Sequence, residues 1–359
     1  MKAKSIKGNT PEEINSELIG SMADGFKPTL AMVFLSVKQD RAAICKILAN
    51  AAISIFGITT NGEFIDEDLS QESTAILLLD INPAYFTVLL EDLDHHDPRI
   101  VTRSMAQKAL QKFSNPAILI SGSYVQINAE QMLYGFEDIL GAQVTLFGGM
   151  AGDDFSFTEQ FVFTAEKESQ KGVIALVLDE DKIMVKGRSA CGWKAIGTEK
   201  TVTKSDGNRV YTIDDTPALD ILIKYTGLKD ITKENKDAAM QLATALPLLL
   251  QRENGDPVIR AGGLIHWEDH SMTYSGSIPE GAKLRFTLPP DFDVIDQVIE
   301  SGEKLKAMEM PEVEALILFS CAGRYLSLGP MINKEVEGLK KVWNAPMVGF
   351  FSFGEFGRA

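Results

Sequence analysis

Cysteine is scarce in this chain, and its scarcity excludes a disulfide framework. The 359 residues include three cysteines, Cys45, Cys191 and Cys321, which are odd in number and far apart in sequence. Disulfide-dependent domains carry many paired cysteines, and structural zinc sites place theirs at short spacings. The pattern predicts a protein of a reducing compartment without a cysteine-rich metal site.

Long hydrophobic runs are also missing. No apolar stretch approaches the roughly 20 residues that a membrane-spanning helix needs. The basic N-terminus leads into Pro11 and Glu12 rather than into an apolar segment, so no signal peptide is predicted. We therefore expect a cytoplasmic protein with no membrane span.

The chain lacks an excess of positive charge, since its formal net charge is -15 at pH 7. An acidic surface repels phosphate backbones, so nucleic acid is not a predicted partner. The apolar content of 45% is ordinary for a globular protein. A chain of this length is too long for one small core, and we expect two domains or one large compound domain.

Two common catalytic signatures are absent, namely a phosphate-binding loop of the Walker type and a Gly-x-Ser-x-Gly nucleophile elbow. Two histidine pairs are candidate metal sites. His95 and His96 precede a predicted helix, whose N-terminus the neighbouring aspartates favour. His266 and His270 lack the glutamate that a zinc helix places beside its first histidine. Metal binding is the less favoured interpretation of both pairs.

A repeated ending of glycine and acid is the main feature that the chain does contain. Residues 57–64 and 349–356 both read Gly, two residues, a hydroxyl residue, one residue, then Gly-Glu-Phe, and residues 148–153 are a looser copy. Glycine permits the close approach of a ligand or of another strand. Each copy follows an apolar run that predicts a buried strand. Three such strand ends suggest three related units around one site.

The sequence before each ending supports this repetition, because it predicts helix, strand, helix and strand in that order. The alternative, that any α/β chain alternates in this way, stays open at this point. Short strands between polar turns, one of them expected over residues 182–187, predict an antiparallel insertion between the second and third repeats. The predicted fold is therefore α/β, with mixed sheets built from repeated helix-strand-helix-strand units and an antiparallel β insertion.

The candidate ligand site lies at these strand ends. The three acidic residues would receive an ammonium group or hydroxyls, and a guanidinium at position 324 would hold a carboxylate in two parallel hydrogen bonds. A structural pairing of that arginine with Glu355 or Glu335 is the alternative. The candidate binding residues are Thr59, Thr60, Gly62, Glu63, Gly152, Asp153, Arg324, Ser352, Gly354 and Glu355.

Several stretches taken together resemble the FIST family. They are residues 57–63, 148–153, 192–193, 201–208, 215–218, 319–324 and 349–355. The resemblance covers the chain from about Lys27 to its end and implies a FIST N-type domain over residues 1–215 and a FIST C-type domain over residues 216–359. It also implies an intracellular sensory protein that binds a small ligand, such as an amino acid or a related small acid.

The resemblance further implies a signalling partner. Family members occur fused to, or encoded near, histidine kinases, cyclic-dinucleotide enzymes and chemotaxis receptors. No output domain is recognised in this sequence, so we expect the signal to pass to a separate protein.

Two other functions remain open. Carboxylates, Cys321 and Arg324 at strand ends could perform acid-base or thiol chemistry in an enzyme. One branch of the family binds haem as a nitric-oxide sensor, for which His95, His96, His266 and His270 are the candidate ligands. We favour the ligand-binding sensor and predict neither enzymatic activity nor a cofactor.

Overall fold

The fold of the protein is given by a computed structural model that describes residues 1–123, 127–229, 231–252 and 257–357. The described chain divides into two compact units. The first contains residues 1–123, 133–190 and 295–357, and the second lies within residues 127–132 and 191–294. The C-terminal segment thus belongs to the same unit as the N-terminus. The predicted domain boundary between residues 215 and 216 stays a prediction.

Nine α-helices and 23 strands lie within the described residues. The helices are α1 (Pro11–Met22), α2 (Arg41–Asn50), α3 (Pro98–Lys112), α4 (Ala129–Leu140), α5 (Ala218–Thr226), α6 (Lys236–Ala245), α7 (Asp293–Met308), α8 (Ala322–Leu328) and α9 (Ile332–Trp343). The strands are β1 (Lys2–Gly8), β2 (Leu30–Leu35), β3 (Ser54–Thr59), β4 (Glu63–Ile65), β5 (Asp68–Ser70), β6 (Thr74–Asp80), β7 (Phe86–Asp92), β8 (Pro116–Gly122), β9 (Leu146–Gly149), β10 (Val162–Phe163), β11 (Glu168–Ser169), β12 (Gly172–Asp179), β13 (Lys194–Asp206), β14 (Arg209–Ile213), β15 (Thr216–Pro217), β16 (Leu248–Leu250), β17 (Val258–Arg260), β18 (Gly262–His266), β19 (Ser271–Tyr274), β20 (Lys283–Leu288), β21 (Leu316–Cys321), β22 (Met347–Ser352) and β23 (Glu355–Phe356).

The first helix shows how local sequence sets an element boundary. The hydroxyl of Thr10 accepts a hydrogen bond from the Glu13 N–H at 3.2 Å, and Pro11 occupies the first helical position. Proline is tolerated at this position, because the backbone N–H that it lacks would have no partner inside the helix. Ile14 and Leu18 are buried on the face that packs against the sheet. The hydroxyl cap, the proline and the apolar spacing predict this helix from sequence.

All three predicted repeats are present, and the two strands of each repeat form a parallel pair. Parallel neighbours need a crossover, which helices provide in every repeat. The predicted α/β fold with mixed sheets is therefore confirmed. The parallel pairs are β2–β3, with Val33 opposite Gly57; β8–β9, with Ile120 opposite Gly148; and β21–β22, with Leu318 opposite Gly349.

The strand that follows each repeat leaves that repeat and completes the sheet of another. β4, after the first repeat, pairs with β22 of the third. β10, after the second repeat, pairs with β3 of the first, and β23, after the third, pairs with β9 of the second. This cyclic exchange lies in the first unit and brings the three strand ends together.

Each exchanged strand places a phenylalanine opposite the glycine of its host strand. An ideal Cβ at Gly57 would lie 2.1 Å from the Phe163 ring, and one at Gly349 would lie 2.3 Å from the Phe64 ring. Glycine is required at these positions because the rings occupy the space of a side chain. The three pairs are Phe64 with Gly349, Phe163 with Gly57, and Phe356 with Gly148.

One hydrophobic core joins side chains from all three repeats. It includes Phe34 of the first repeat, Leu119 of the second and Phe350 of the third, each of them buried. The Phe34 and Phe350 rings lie 4.7 Å apart between centroids, a distance typical of a favourable aromatic pair. Shared burial therefore holds the repeats together.

The second unit is mostly antiparallel, as predicted for the insertion. β13 and β14 form a hairpin at Gly207, whose φ of 58° suits glycine. α5 ends at Gly227 with φ of 65°, and α6 ends before Pro247. Glycine favours such a helix end, and proline is expected to break or kink a helix. The sequence of residues 236–250 predicts helix on both sides of Pro247, but residues 248–250 form β16 instead.

One predicted strand is wrong. Residues 182–187 form no strand, because the N–H groups of Lys182 and Ile183 both bond to the Asp179 carbonyl and turn the chain after β12. The apolar side chains of Ile183 and Val185 that suggested a strand pack against the core from this irregular segment. Separately, no helix in the described part of the chain is long and apolar enough to cross a membrane.

Candidate functional site

The three strand ends predicted to converge are hydrogen-bonded to one another. These bonds link the loops that follow β3, β9 and β22 into one assembly within the first unit, here called the hub. Its backbone bonds run from the Asn61 N–H to the Phe351 carbonyl (3.1 Å), from the Gly152 N–H to the Thr59 carbonyl (2.7 Å), and from the Met150 N–H to the Gly354 carbonyl (2.8 Å).

Glu63 lies fully buried in the hub, with its oxygens bonded to protein donors. One oxygen accepts a hydrogen bond from the Thr60 hydroxyl at 2.6 Å. The other accepts bonds from the N–H and the hydroxyl of Ser73, both at 2.7 Å. Burial raises the pKa of Glu63 to about 7, against the opposing effect of these donors. No signal in the sequence indicated the role of Ser73, because this residue lies ten positions after Glu63 and outside the repeated motif.

Asp153 is also fully buried and organises the loop that follows it. Its carboxylate accepts hydrogen bonds from the N–H of Phe157 (3.0 Å), the N–H of Thr158 (2.7 Å) and the amide of Gln160 (2.5 Å). Phe155 and Phe157 have φ of 62° and 54°, which is unfavourable for a bulky side chain. The bonds to Asp153 stabilise this strained loop.

Asn61 is a hub residue that the sequence reasoning did not select. Its side-chain oxygen accepts hydrogen bonds from the N–H groups of Asp153 (3.1 Å) and Phe155 (3.0 Å). A Cβ at Gly152 would lie 2.4 Å from the Asn61 amide nitrogen, which explains the glycine. The third repeat has Phe353 at the position of Asn61, so the repeat pattern gave no signal for this role.

A second group of polar residues gathers at the carboxyl ends of β21 and β22, and we call it the strand-end cluster. It consists of Cys321, Arg324, Glu335, Ser352 and Glu355. Cys321 and Ser352 are the last paired residues of the two parallel strands. The Ser352 hydroxyl donates to Glu355 at 2.5 Å, and Arg324 lies in the helix that begins directly after Cys321.

The Arg324 guanidinium is buried with an incomplete set of partners. Its Nη1 donates to the Ala190 carbonyl at 3.2 Å, and its Nε lies 3.5 Å from Oε2 of Glu335. The side chains of Arg324 and Glu335 are only 9% and 2% exposed. Neither that Nε nor that Oε2 has a hydrogen bond to any described residue. Of the two acids considered as structural partners from sequence, Glu335 forms the ion pair.

Burial raises the pKa values of the two carboxyl groups in the strand-end cluster. Burial raises the pKa of Glu335, and the charge of Arg324 opposes this. Glu355 is exposed, yet neighbouring protein atoms desolvate its carboxyl group and raise its pKa, against the opposing effect of the Ser352 hydroxyl. Burial, assisted by the charge of Glu355, raises the pKa of the Cys321 thiol to about 12.

The candidate binding residues thus fall into two groups. One belongs to the buried hub, where the carboxylates are already bonded to protein donors. The other belongs to the strand-end cluster, where the Arg324 Nε has an ion-pair contact but no hydrogen bond to any described residue, and where Glu355 is exposed. Ligand binding by these residues stays a prediction. The hub group is Thr59, Thr60, Gly62, Glu63, Gly152, Asp153 and Gly354, and the strand-end group is Arg324, Ser352 and Glu355.

The histidines considered for haem lie outside both groups. His95 and His96 are exposed in the turn before α3. In the second unit, His266 bonds to the Thr273 hydroxyl at 2.9 Å, and His270 bonds to Asp220 at 2.6 Å.

Comparison with protein families gives two matches. The model of the FIST N domain matches residues 29–216, and that of the FIST C domain matches residues 218–358. A comparison with the curated proteins finds no match. FIST domains are regarded as small-ligand sensory domains of signalling proteins. The two matches cover nearly the whole chain, and this protein therefore belongs to the FIST family.

Proposed function

We propose that this protein is a sensor that binds a small carboxylate ligand, an amino acid or a related small acid, at the strand-end cluster. The observation that carries the proposal is the buried Arg324 guanidinium, whose Nε has no hydrogen bond to any described residue. Arginine presents its N–H donors in a rigid fork that matches a carboxylate. A buried donor without a partner is costly, and a ligand carboxylate would satisfy it.

Glu355 and Ser352 supply the second half of the recognition. Glu355 is exposed and accepts a hydrogen bond from the Ser352 hydroxyl, so its carboxylate can also accept a hydrogen bond from an ammonium or hydroxyl group of the ligand. Burial raises the pKa of Glu355, and a nearby ligand cation would favour its ionised form. Arg324 and Glu355 together suit a ligand that carries both charges, as an amino acid does.

The position of the cluster within the fold supports a binding role. Ligands of α/β proteins bind beyond the carboxyl ends of parallel strands. Arg324, Ser352 and Glu355 lie at that end of the parallel pair β21–β22. In this proposal the hub residues Glu63 and Asp153 hold the strand ends in place, because their oxygens are bonded to protein donors.

The signal would pass to a separate cytoplasmic partner, for which a histidine kinase, a cyclic-dinucleotide enzyme and a chemotaxis receptor are the candidates. Arg324 lies in the first turn of α8 and Glu335 lies in α9. A carboxylate bound to Arg324 would weaken its attraction to Glu335, since the two anions compete for one cation. Ligand binding could in this way shift α8 relative to α9.

Calorimetric titration with matched pairs of ligands tests the proposal. Each amino acid and small acid is compared with its own primary amide, which keeps the size but removes the negative charge. We expect at least one acid to bind and its amide to bind at least about tenfold more weakly, a difference of about 1.4 kcal/mol. The proposal is wrong if no acid binds the folded protein, or if the amides bind equally well.

A further inference from the structure

Strand β7 forms a free edge of the five-stranded sheet. The strand order in that sheet is β23, β9, β8, β12 and β7, and no other strand of the described chain pairs with the far side of β7. Its sequence, Phe-Thr-Val-Leu-Leu-Glu-Asp, contains neither proline nor glycine. Such an edge presents unpaired N–H and C=O groups, which can bind another strand.

The hydrogen-bond register identifies which residues of β7 face outward. The Leu93 N–H donates to the Lys171 carbonyl at 2.8 Å, so the backbone polar groups of Leu93 point toward β12. The backbone N–H and C=O groups of successive residues point alternately to the two sides of an antiparallel strand. Those of Phe86, Val88 and Leu90 therefore point away from β12. The Lys112 ammonium donates to the Phe86 carbonyl at 3.0 Å, which agrees with an outward carbonyl there.

A groove of about 450 Å³ runs along this edge. Its opposite wall includes the start of β3, where the Ser54 N–H bonds to the Thr29 carbonyl of the β2 segment. The backbone of Ile55 therefore faces away from β2. β10 does not cover it, since β10 pairs with β3 only at Gly57 and Ile58. The groove is lined by Ala49, Ala52, Ile53, Ser54, Ile55, Pro83, Phe86, Thr87, Val88, Lys112, Thr164, Ala165 and Glu166.

We propose that this groove binds an extended peptide segment of a partner protein, which adds to β7 as a further strand of the sheet. Outward N–H and C=O groups at Val88 supply the main-chain bonds, as in other cases of strand addition. The lining mixes apolar residues such as Ile53 and Val88 with polar residues such as Thr87, so the peptide presents side chains of both kinds to the groove. Lys112 and Glu166 are exposed charges of opposite sign in the lining, so the peptide carries an acidic and a basic residue to match. The groove shares no residue with the strand-end cluster, so this proposal does not depend on which small ligand binds there.

Val88 allows the main-chain bond to be tested separately from the side chain. Val88→Pro removes an outward N–H that takes no part in the ladder with β12, whereas Val88→Ala keeps it. The probes are peptides selected against the wild-type protein from a displayed library of short random sequences. We expect the selected peptides to bind Val88→Pro at least about tenfold more weakly and Val88→Ala within about threefold of wild type.

N-methylated peptides provide a second measurement if Val88→Pro does not fold. Two versions of a selected peptide are made, each methylated at alternate amides. One version should lose binding because its methyl groups block the bonds to β7, and the other should retain it. The proposal is overturned if no peptide is selected, or if both methylated versions bind as well as the parent. It is also overturned if wild-type protein is a dimer that Val88→Ala preserves and Val88→Pro dissociates, since a second copy would then occupy the edge.

Discussion

Phe64 of the strand after the first repeat lies directly opposite Gly349 of the third repeat, in adjacent antiparallel strands. The same relationship joins Phe163 to Gly57 and Phe356 to Gly148. A ring that packs over the glycine therefore explains Gly57 and Gly349, whereas a side chain at Gly148 would meet the Ile120 carbonyl of the paired strand. The motif that suggested a ligand site also encodes a contact between repeats, and this makes the glycines suitable for a stability test.

Gly148→Ala should destabilise the protein strongly. Its new Cβ would lie 1.9 Å from the Ile120 carbonyl oxygen, which belongs to the backbone of the paired strand and cannot turn aside. We expect a loss of about 3 kcal/mol or more in the free energy of unfolding by urea. The control is Gly20→Ala in α1, which has open space around it and should be neutral or stabilising by up to about 1 kcal/mol. Equal effects of the two changes would contradict the packing argument.

The buried carboxyl of Glu63 should make stability depend on pH. Its pKa in the folded state is about 7, above the ordinary value of about 4.3 for the unfolded chain. Between these values unfolding releases a proton, so the stability present below about pH 4 is lost as pH rises to about 7. The free energy of unfolding of wild type relative to Glu63→Gln should therefore fall by roughly 3 kcal/mol from pH 4 to pH 8.

Glu17→Gln is the control for this pH series. Glu17 is exposed on α1, so its replacement should leave the pH dependence of unfolding unchanged. A flat difference between wild type and Glu63→Gln across the same range would show that Glu63 has an ordinary pKa in the folded protein.

The ion pair of Arg324 and Glu335 should behave as a coupled unit. Arg324→Met leaves a buried carboxyl without its cation, and Glu335→Leu leaves a buried guanidinium without its anion. Each single change should cost about 3–5 kcal/mol, and the double change should cost clearly less than their sum, because no unpaired charge remains. Urea unfolding of the four proteins measures the coupling. Additive losses would mean that the 3.5 Å contact has no energetic role.

Cys321 should react slowly with alkylating agents at neutral pH. Burial raises its pKa to about 12, so the reactive thiolate is scarce, whereas Cys191 is exposed. We expect Cys321 to be modified at least about tenfold more slowly than Cys191 at pH 7, with a rate that rises steadily toward pH 10. Mass spectrometry of peptides after timed labelling gives both rates. Preferential modification of Cys321 would favour the enzyme alternative.

Helix ends could be predicted from the sequence where their signals are local. The cap at Thr10, the end of α5 at Gly227 and the interruption at Pro247 each depend on neighbouring residues, and the structure has all three. The helix expected to continue over residues 248–250 is wrong, because these residues form β16. The strand expected over residues 182–187 was wrong because a turn at Asp179 depends on backbone bonds that the apolar pattern does not encode.

The cyclic exchange of strands and the division of the candidate site could not be predicted. Which sheet receives β4, β10 or β23 depends on pairing between residues far apart in sequence. The motif grouped Glu63 with Glu355, yet Glu63 is buried and bonded to Ser73, whereas Glu355 is exposed. Burial of a particular carboxylate depends on the packed structure around it.

The affinity of Arg324→Lys for the best-binding small acid is the most direct test of the binding account. Lysine keeps the positive charge but loses the planar fork. Arg260→Lys is the matched control, because Arg260 is a buried arginine paired with Glu130 in the second unit. The account predicts that calorimetry shows at least about tenfold weaker binding for Arg324→Lys and wild-type affinity for Arg260→Lys. Wild-type affinity in folded Arg324→Lys protein would contradict it.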